Sequence, residues 1–203
     1  PLVTGVQTCA LPIYPEEEIR KQYYIDEGVK KEKTKYNYKC MVPEKFKDDE
    51  KSIEEIKELF GPPLEFVNKI RLELPILFAK EITAIHVRKG DYLNYPNIHP
   101  TLSKEYIIEA LKFVPREQIL IVSDDITWCK NNLNIEGAIY SENRKSYEDL
   151  WILSMCHHFI ISNSSFSWWG AYLSRNKNKI VVAPQIWYGP EGPKNWEIGR
   201  AHV

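Results

Sequence analysis

With 203 residues, 43% hydrophobic and 27% charged, the chain is long enough for one filled domain, or for one domain and part of a second. A formal net charge of −1 excludes a molecule-wide attraction to nucleic acid or anionic membrane, leaving room only for a local basic site. No apolar run reaches the ~18 residues of a membrane-spanning helix, and Cys9, Cys40, Cys129 and Cys156 show no CxxC pairing, which reads as reduced thiols.

In chain order, Pro1 to Ile13 has no amphipathic period and no basic stretch before its short apolar run, so it fails as a signal peptide. It resembles a translated adaptor scar, as does Glu197 to Val203, and both are set aside as non-native sequence. On that reading the chain is a fragment of a longer protein. Residues 14–80 are rich in Lys and Glu and read as helices with loops, the helical remainder of an N-terminal or linking region. Asp48 to Phe60 places Ile53, Ile56, Leu59 and Phe60 on one helical face and is stopped by Gly61-Pro62-Pro63. Leu64 to Leu74 is a second amphipathic segment ending before Pro75. Tyr36 to Lys39 has the composition of an edge strand.

Residues 81–196 alternate in type. Strands are expected at Ile82–Val87, Gln118–Val122, Gly137–Tyr140, Phe159–Ile161 and Lys179–Ala183. Helices are expected at Ser103–Val114, Asp125–Leu133, Ser146–His157 and Ser165–Leu173. Such alternation implies βαβ crossovers and an α/β fold with a parallel, Rossmann-like sheet flanked by helices. Ligands of such sheets bind outside the carboxyl ends of the strands.

Three strand ends carry the unusual residues. The first strand runs into His86-Val87-Arg88-Lys89-Gly90-Asp91-Tyr92. There Arg88 offers a fork of donors to phosphate oxygens, Lys89 adds a point charge, and Gly90 permits a sharp turn. The alternative is a surface turn with an Arg–Asp pair. Ser123-Asp124-Asp125 follows the next strand, and its carboxylates either hold a metal or cap the following helix. Trp128, one turn on, reads as core or as the lid of a pocket. The third end is Ser162-Asn163-Ser164-Ser165-Phe166-Ser167, where hydroxyls and the free N–H groups of a helix N-terminus suit a diphosphate. An ordinary serine cap is the plainer alternative; Trp168 and Trp169 would anchor that helix on the sheet. Asp149 either belongs to a capping-box variant with Ser146 or offers a carboxylate to the two adjacent donors of guanine.

HVRKGDY, SDD followed by Trp128-Cys129, and the run DLWILSMCHHFIISNSSFSWWGA are similar to motif blocks of the family 11 α-1,2-fucosyltransferases, and Pro184 to Tyr188 resembles the block after them. The resemblance covers roughly residues 82–190. It implies a GT-B-type fold whose N-terminal domain is incomplete here, since the glycine-rich segment with which such enzymes begin has no counterpart. It further implies GDP-fucose as donor, a galactoside-terminated glycan as acceptor, inversion at the fucose anomeric carbon, and no metal or other cofactor. By the same resemblance Arg88 would bind the β-phosphate, His86 the nucleoside and Asp149 the guanine edge, with Asn163, Ser164 and Ser165 around the phosphates. Asp91 would act as general base or fix Arg88 in place. A bacterial surface glycan, a cytoplasmic location at the inner membrane face with peripheral membrane association, and no nucleic-acid partner complete these expectations. The alternatives are an α-1,6 or protein O-fucosyltransferase-like enzyme, and an inactive nucleotide- or carbohydrate-binding fragment.

Overall fold

In a computed structural model of the chain, residues 22–25 and 50–193 are described, with side chains from Glu54 onward. Pro1–Ile13, Glu197–Val203, Cys9, Cys40 and the strand expected at Tyr36–Lys39 lie outside those residues. The described strands are β1 (Gln22–Ile25), β2 (Ile82–Val87), β3 (Gln118–Ser123), β4 (Ile139–Tyr140), β5 (His158–Ile160) and β6 (Val181–Pro184). The helices are α1 (Glu50–Phe60), α2 (Leu64–Glu73), α3 (Ile76–Ala79), α4 (Lys104–Ala110), α5 (Ile126–Asn132), α6 (Ser146–Ser154) and α7 (Ser165–Leu173), with a 3-10 turn at Gly90–Asn94.

The strands form one sheet in the order β1-β6-β5-β2-β3-β4, and every pairing is parallel. The α/β reading therefore holds, with one correction. Residues 14–80 were expected to be helices and loops with an edge strand at Tyr36–Lys39, yet β1 lies earlier among them and pairs with β6, Gln22 opposite Val181. Its Gln-Tyr-Tyr-Ile composition suits a strand, but four residues are too few for a period to declare itself.

Alternation along the strands builds two cores, one on each face of the sheet. Ile82 and Ala84 of β2, Leu120 and Val122 of β3 and Phe159 of β5 pack with Phe66, Ile70, Ile152, Leu153, Trp168 and Tyr172 from α2, α6 and α7. Ile85, Val87, Ile119 and Ile121 pack on the other face with Tyr106, Ile107, Ala110 and Leu133. Cys129 and Cys156 are buried and free. Trp168 stacks on Tyr172 within α7 at 5.2 Å, and both lie buried in the first core with Ala84, Leu120 and Phe159, which holds α7 on the sheet. The stripe of α1 behaves differently: Leu59 and Phe60 are exposed, and Ile56 alone of the described members is packed against the core.

The winding of the chain through the sheet reverses between β2 and β5. From β2 the chain winds outward through β3 to β4, then α6 carries it back across to β5 on the other side of β2. The ends of β2 and β5 thus flank the crevice at which open parallel sheets bind ligands.

Candidate functional site

His86, near the end of β2, is 5% exposed, and its Nδ1 lies 2.7 Å from the Ser162 hydroxyl just past β5. The ring also packs on Phe166 in the first turn of α7. Burial, with Arg88 nearby, lowers its pKa to about 3, so the imidazole is neutral. This contact ties together the two strands that flank the crevice.

Arg88 follows immediately and is held by two carboxylates. Its Nη2 donates to Asp91 Oδ1 at 2.6 Å, and its Nη1 lies 3.2 Å from Asp124 Oδ2. The guanidinium carbon stands 5.3 Å from the centre of the Tyr92 ring. Tyr92 in turn donates its hydroxyl to the Asn163 carbonyl at 3.0 Å, linking the Arg88 turn to the start of α7. Burial pushes the Tyr92 phenol up to about 12, so it stays protonated as that donor requires. Tyr92 also stacks on His99 at 4.6 Å, and His99 packs on Tyr188.

Two details of the turn correct the sequence reading. Lys89 does not add a free charge beside Arg88: it is 8% exposed, donates from Nζ to the Leu102 carbonyl at 3.2 Å and sits 4.0 Å over the Trp128 ring. Gly90 has no positive φ; its place is set by Asp124, whose Oδ2 would lie 2.2 Å from a Cβ there.

The two aspartates after β3 divide the work. Asp125 caps α5, accepting the Trp128 N–H at 2.8 Å. Asp124 does neither of the things expected of it, since its Oδ1 accepts the Lys89 N–H at 2.9 Å and its Oδ2 meets Arg88.

At α7 the serines also have separate duties. Ser162 is committed to His86, and Ser167 donates to the carbonyls of Ser162 and Ser164 at 3.2 and 2.9 Å. Ser164 occupies the N-cap position but its side chain does not cap the helix, so the plain capping reading fails there. Asn163 is 2% exposed and donates from Nδ2 to the carbonyls of Pro100 and Trp187, both at 3.0 Å, while its Oδ1 has no partner. Ser164 and Ser165 stand at the N-terminus of α7, where the first backbone N–H groups of a helix give an environment that favours an anion.

Asp149 stands apart, one strand beyond β3. Its Oδ1 accepts the hydroxyl of Ser141, just past β4, at 2.5 Å, and burial raises its pKa. The capping box of α6 belongs to a neighbouring residue: Glu148 accepts the Lys145 N–H at 3.0 Å. Asp149 is thereby released from capping, which sequence spacing had favoured. Among the described residues no group of three or more His, Cys, Asp or Glu side chains is arranged to hold a metal ion.

A family model described as glycosyl transferase family 11 matches residues 51–197. Among curated proteins, the chain is 37% identical over 117 residues to the O-antigen biosynthesis glycosyltransferase WbnK of Escherichia coli, covering 52% of this chain and 39% of that protein. It is 30% identical over 151 residues to an alpha-1,2-colitosyltransferase of the same species, covering 68% of this chain and 51% of that protein. A galactoside 2-alpha-L-fucosyltransferase of Bos taurus matches at 30% over 105 residues, 44% of this chain and 28% of that protein. The chain thus spans about half or less of the length of these relatives. Among solved structures, POFUT1 in complex with GDP-fucose aligns with 68% of this chain and 50% of its own at 17% identity and a TM-score of 0.46.

Proposed function

This chain belongs to glycosyl transferase family 11, and we propose that it is the donor-binding part of an enzyme that moves L-fucose from GDP-fucose to the 2-hydroxyl of a terminal galactoside, inverting the anomeric centre without a metal. The observation that carries the reading is the convergence at one crevice of Arg88 from β2 and the N-terminus of α7 from β5, joined by the His86–Ser162 and Tyr92–Asn163 contacts. In such a transfer the bond from sugar to diphosphate breaks through an oxocarbenium-like state, and negative charge builds on the departing nucleotide. Fixed positive groups aimed at that charge are the largest catalytic aid a site of this kind offers. Arg88 and the Ser164 and Ser165 N–H groups and hydroxyls take that role, and Asp149 receives the guanine edge. His86, buried and neutral, braces the crevice from beneath the nucleoside.

Asp91 holds Arg88 rather than acting as base in this reading, because its one described ionic partner is that guanidinium. A second donor reading rests on the alpha-1,2-colitosyltransferase relative: the same diphosphate site would serve a colitosyl donor, with the choice made where the sugar ring sits. The test is calorimetric titration of the chain with GDP, ADP and GDP-fucose, alongside Arg88→Ala. Guanine-selective binding that is lost in Arg88→Ala upholds the reading. A folded chain that takes up neither nucleotide, or binds GDP equally well without Arg88, rejects it.

A further inference from the structure

Two carboxylates meet one guanidinium at this site, and they are not equivalent. Asp124 is built in. Its side chain is 24% exposed, one oxygen accepts the backbone N–H of Lys89 at 2.9 Å, and the other lies 3.2 Å from Arg88 Nη1. The absence of a side chain at Gly90 makes room for the carboxylate in this position, since a Cβ there would stand 2.2 Å from Oδ2 and 3.1 Å from Cγ. Asp91 is loosely placed by comparison: it is 60% exposed, lies in the first turn of a short 3-10 helix, and meets Nη2 from the solvent side.

We propose that Asp124 is the positioning residue for Arg88, fixing the guanidinium through Nη1 while Asp91 is the exchangeable partner that an incoming diphosphate replaces on Nη2. The inference rests on the reading above that Arg88 takes the donor phosphate. A planar guanidinium has a fork of donors in fixed directions, so an anion on Nη1 sets where the others point. Asp124 reaches across 35 residues to do so and simultaneously fixes the backbone from which Arg88 springs. Removal of the two carboxylates therefore has opposite effects. Without Asp124 the fork loses its orientation. Without Asp91 the phosphate loses a competitor.

The experiment measures the affinity of the chain for GDP and for guanosine with Asp124→Asn and Asp91→Asn. The amide oxygen of Asp124→Asn can still accept the Lys89 N–H, so the turn keeps its backbone contact while Arg88 loses its anion. GDP binding is expected to weaken about tenfold in Asp124→Asn, with guanosine binding unchanged, because the clamp acts on the phosphate end alone. In Asp91→Asn, GDP binding is expected to hold or tighten. Equal loss for GDP and guanosine in Asp124→Asn would mark a merely structural residue and overturn the proposal, and so would GDP binding unaffected by that change. Weaker GDP binding in Asp91→Asn would overturn the exchange. A folded wild-type chain that binds guanosine and GDP equally rejects the phosphate role of Arg88 itself, and the positioning role with it.

Discussion

His86 Nδ1 and the Ser162 hydroxyl meet at 2.7 Å across the point where the strand order reverses, joining positions 76 residues apart in the chain. Both groups are almost wholly buried, so the bond is formed away from water and would be costly to leave unmade.

One consequence is a pH dependence of stability. Burial lowers the pKa of His86 to about 3 in the folded chain from the ordinary histidine value of 6.5, and burial likewise lowers His99 and His157. The unfolded chain thus binds more protons between these limits, and stability falls as pH drops through 6.5 toward the folded value. Each proton of difference contributes about 1.4 kcal/mol per pH unit. Denaturant titrations between pH 4.5 and 7 are expected to give lower unfolding free energy at the acid end, with a shallower slope in His86→Asn. An unchanged slope in that variant would place the proton uptake elsewhere.

Guanine selectivity is expected to depend on Asp149. Asp149→Asn replaces one of two acceptors with a donor, and GDP affinity should fall by tenfold or more, to about that of ADP. Because burial raises the Asp149 pKa, GDP affinity of the wild type should weaken on acidification earlier than an ordinary carboxylate would dictate. Calorimetry with both nucleotides at several pH values checks both statements, and retained selectivity in Asp149→Asn would move the base-reading role to another group.

Gly90→Ala tests the crowding at Asp124. The added methyl carbon must push the carboxylate away from Arg88. The variant should bind GDP about tenfold more weakly, the same loss expected of Asp124→Asn, while its thermal midpoint moves little. A variant that binds GDP like the wild type would show that the carboxylate has room to move.

Gly170 of α7 is under a different constraint, since a Cβ there would stand 2.6 Å from the Leu153 Cβ of α6. Two helices in contact cannot yield cheaply, and Gly170→Ala should destabilise the fold by about 1–3 kcal/mol. Chemical denaturation measures this directly. A loss well below that range would mean that α6 and α7 separate readily.

Much of this architecture was legible because burial imposes a period. β2 runs over the predicted Ile82–Val87, and α7 over the predicted Ser165–Leu173. Boundaries slipped where apolar spacing outlasts the element. α4 ends at Ala110 although Leu111 and Val114 remain buried, and α6 ends at Ser154, where the chain turns so that His157 can accept the Ile82 N–H. The site was legible as residue types at strand ends, not as pairings. That Asp124 serves Arg88, that Lys89 turns inward to Trp128 and that Asp149 holds Ser141 are contacts between distant segments, which no local spacing encodes.

The return crossover from β4 to β5 also bears on synthesis. β2 is buried along its whole length, yet one flank is covered only by β5, some seventy residues downstream. While a ribosome is still extending the chain, that flank is an open apolar strand edge, the kind of template on which neighbouring nascent chains pair and aggregate. Holdase chaperones that shield strand edges should therefore matter most between the emergence of Val87 and that of Ile160, and little once Ser162 has reached His86.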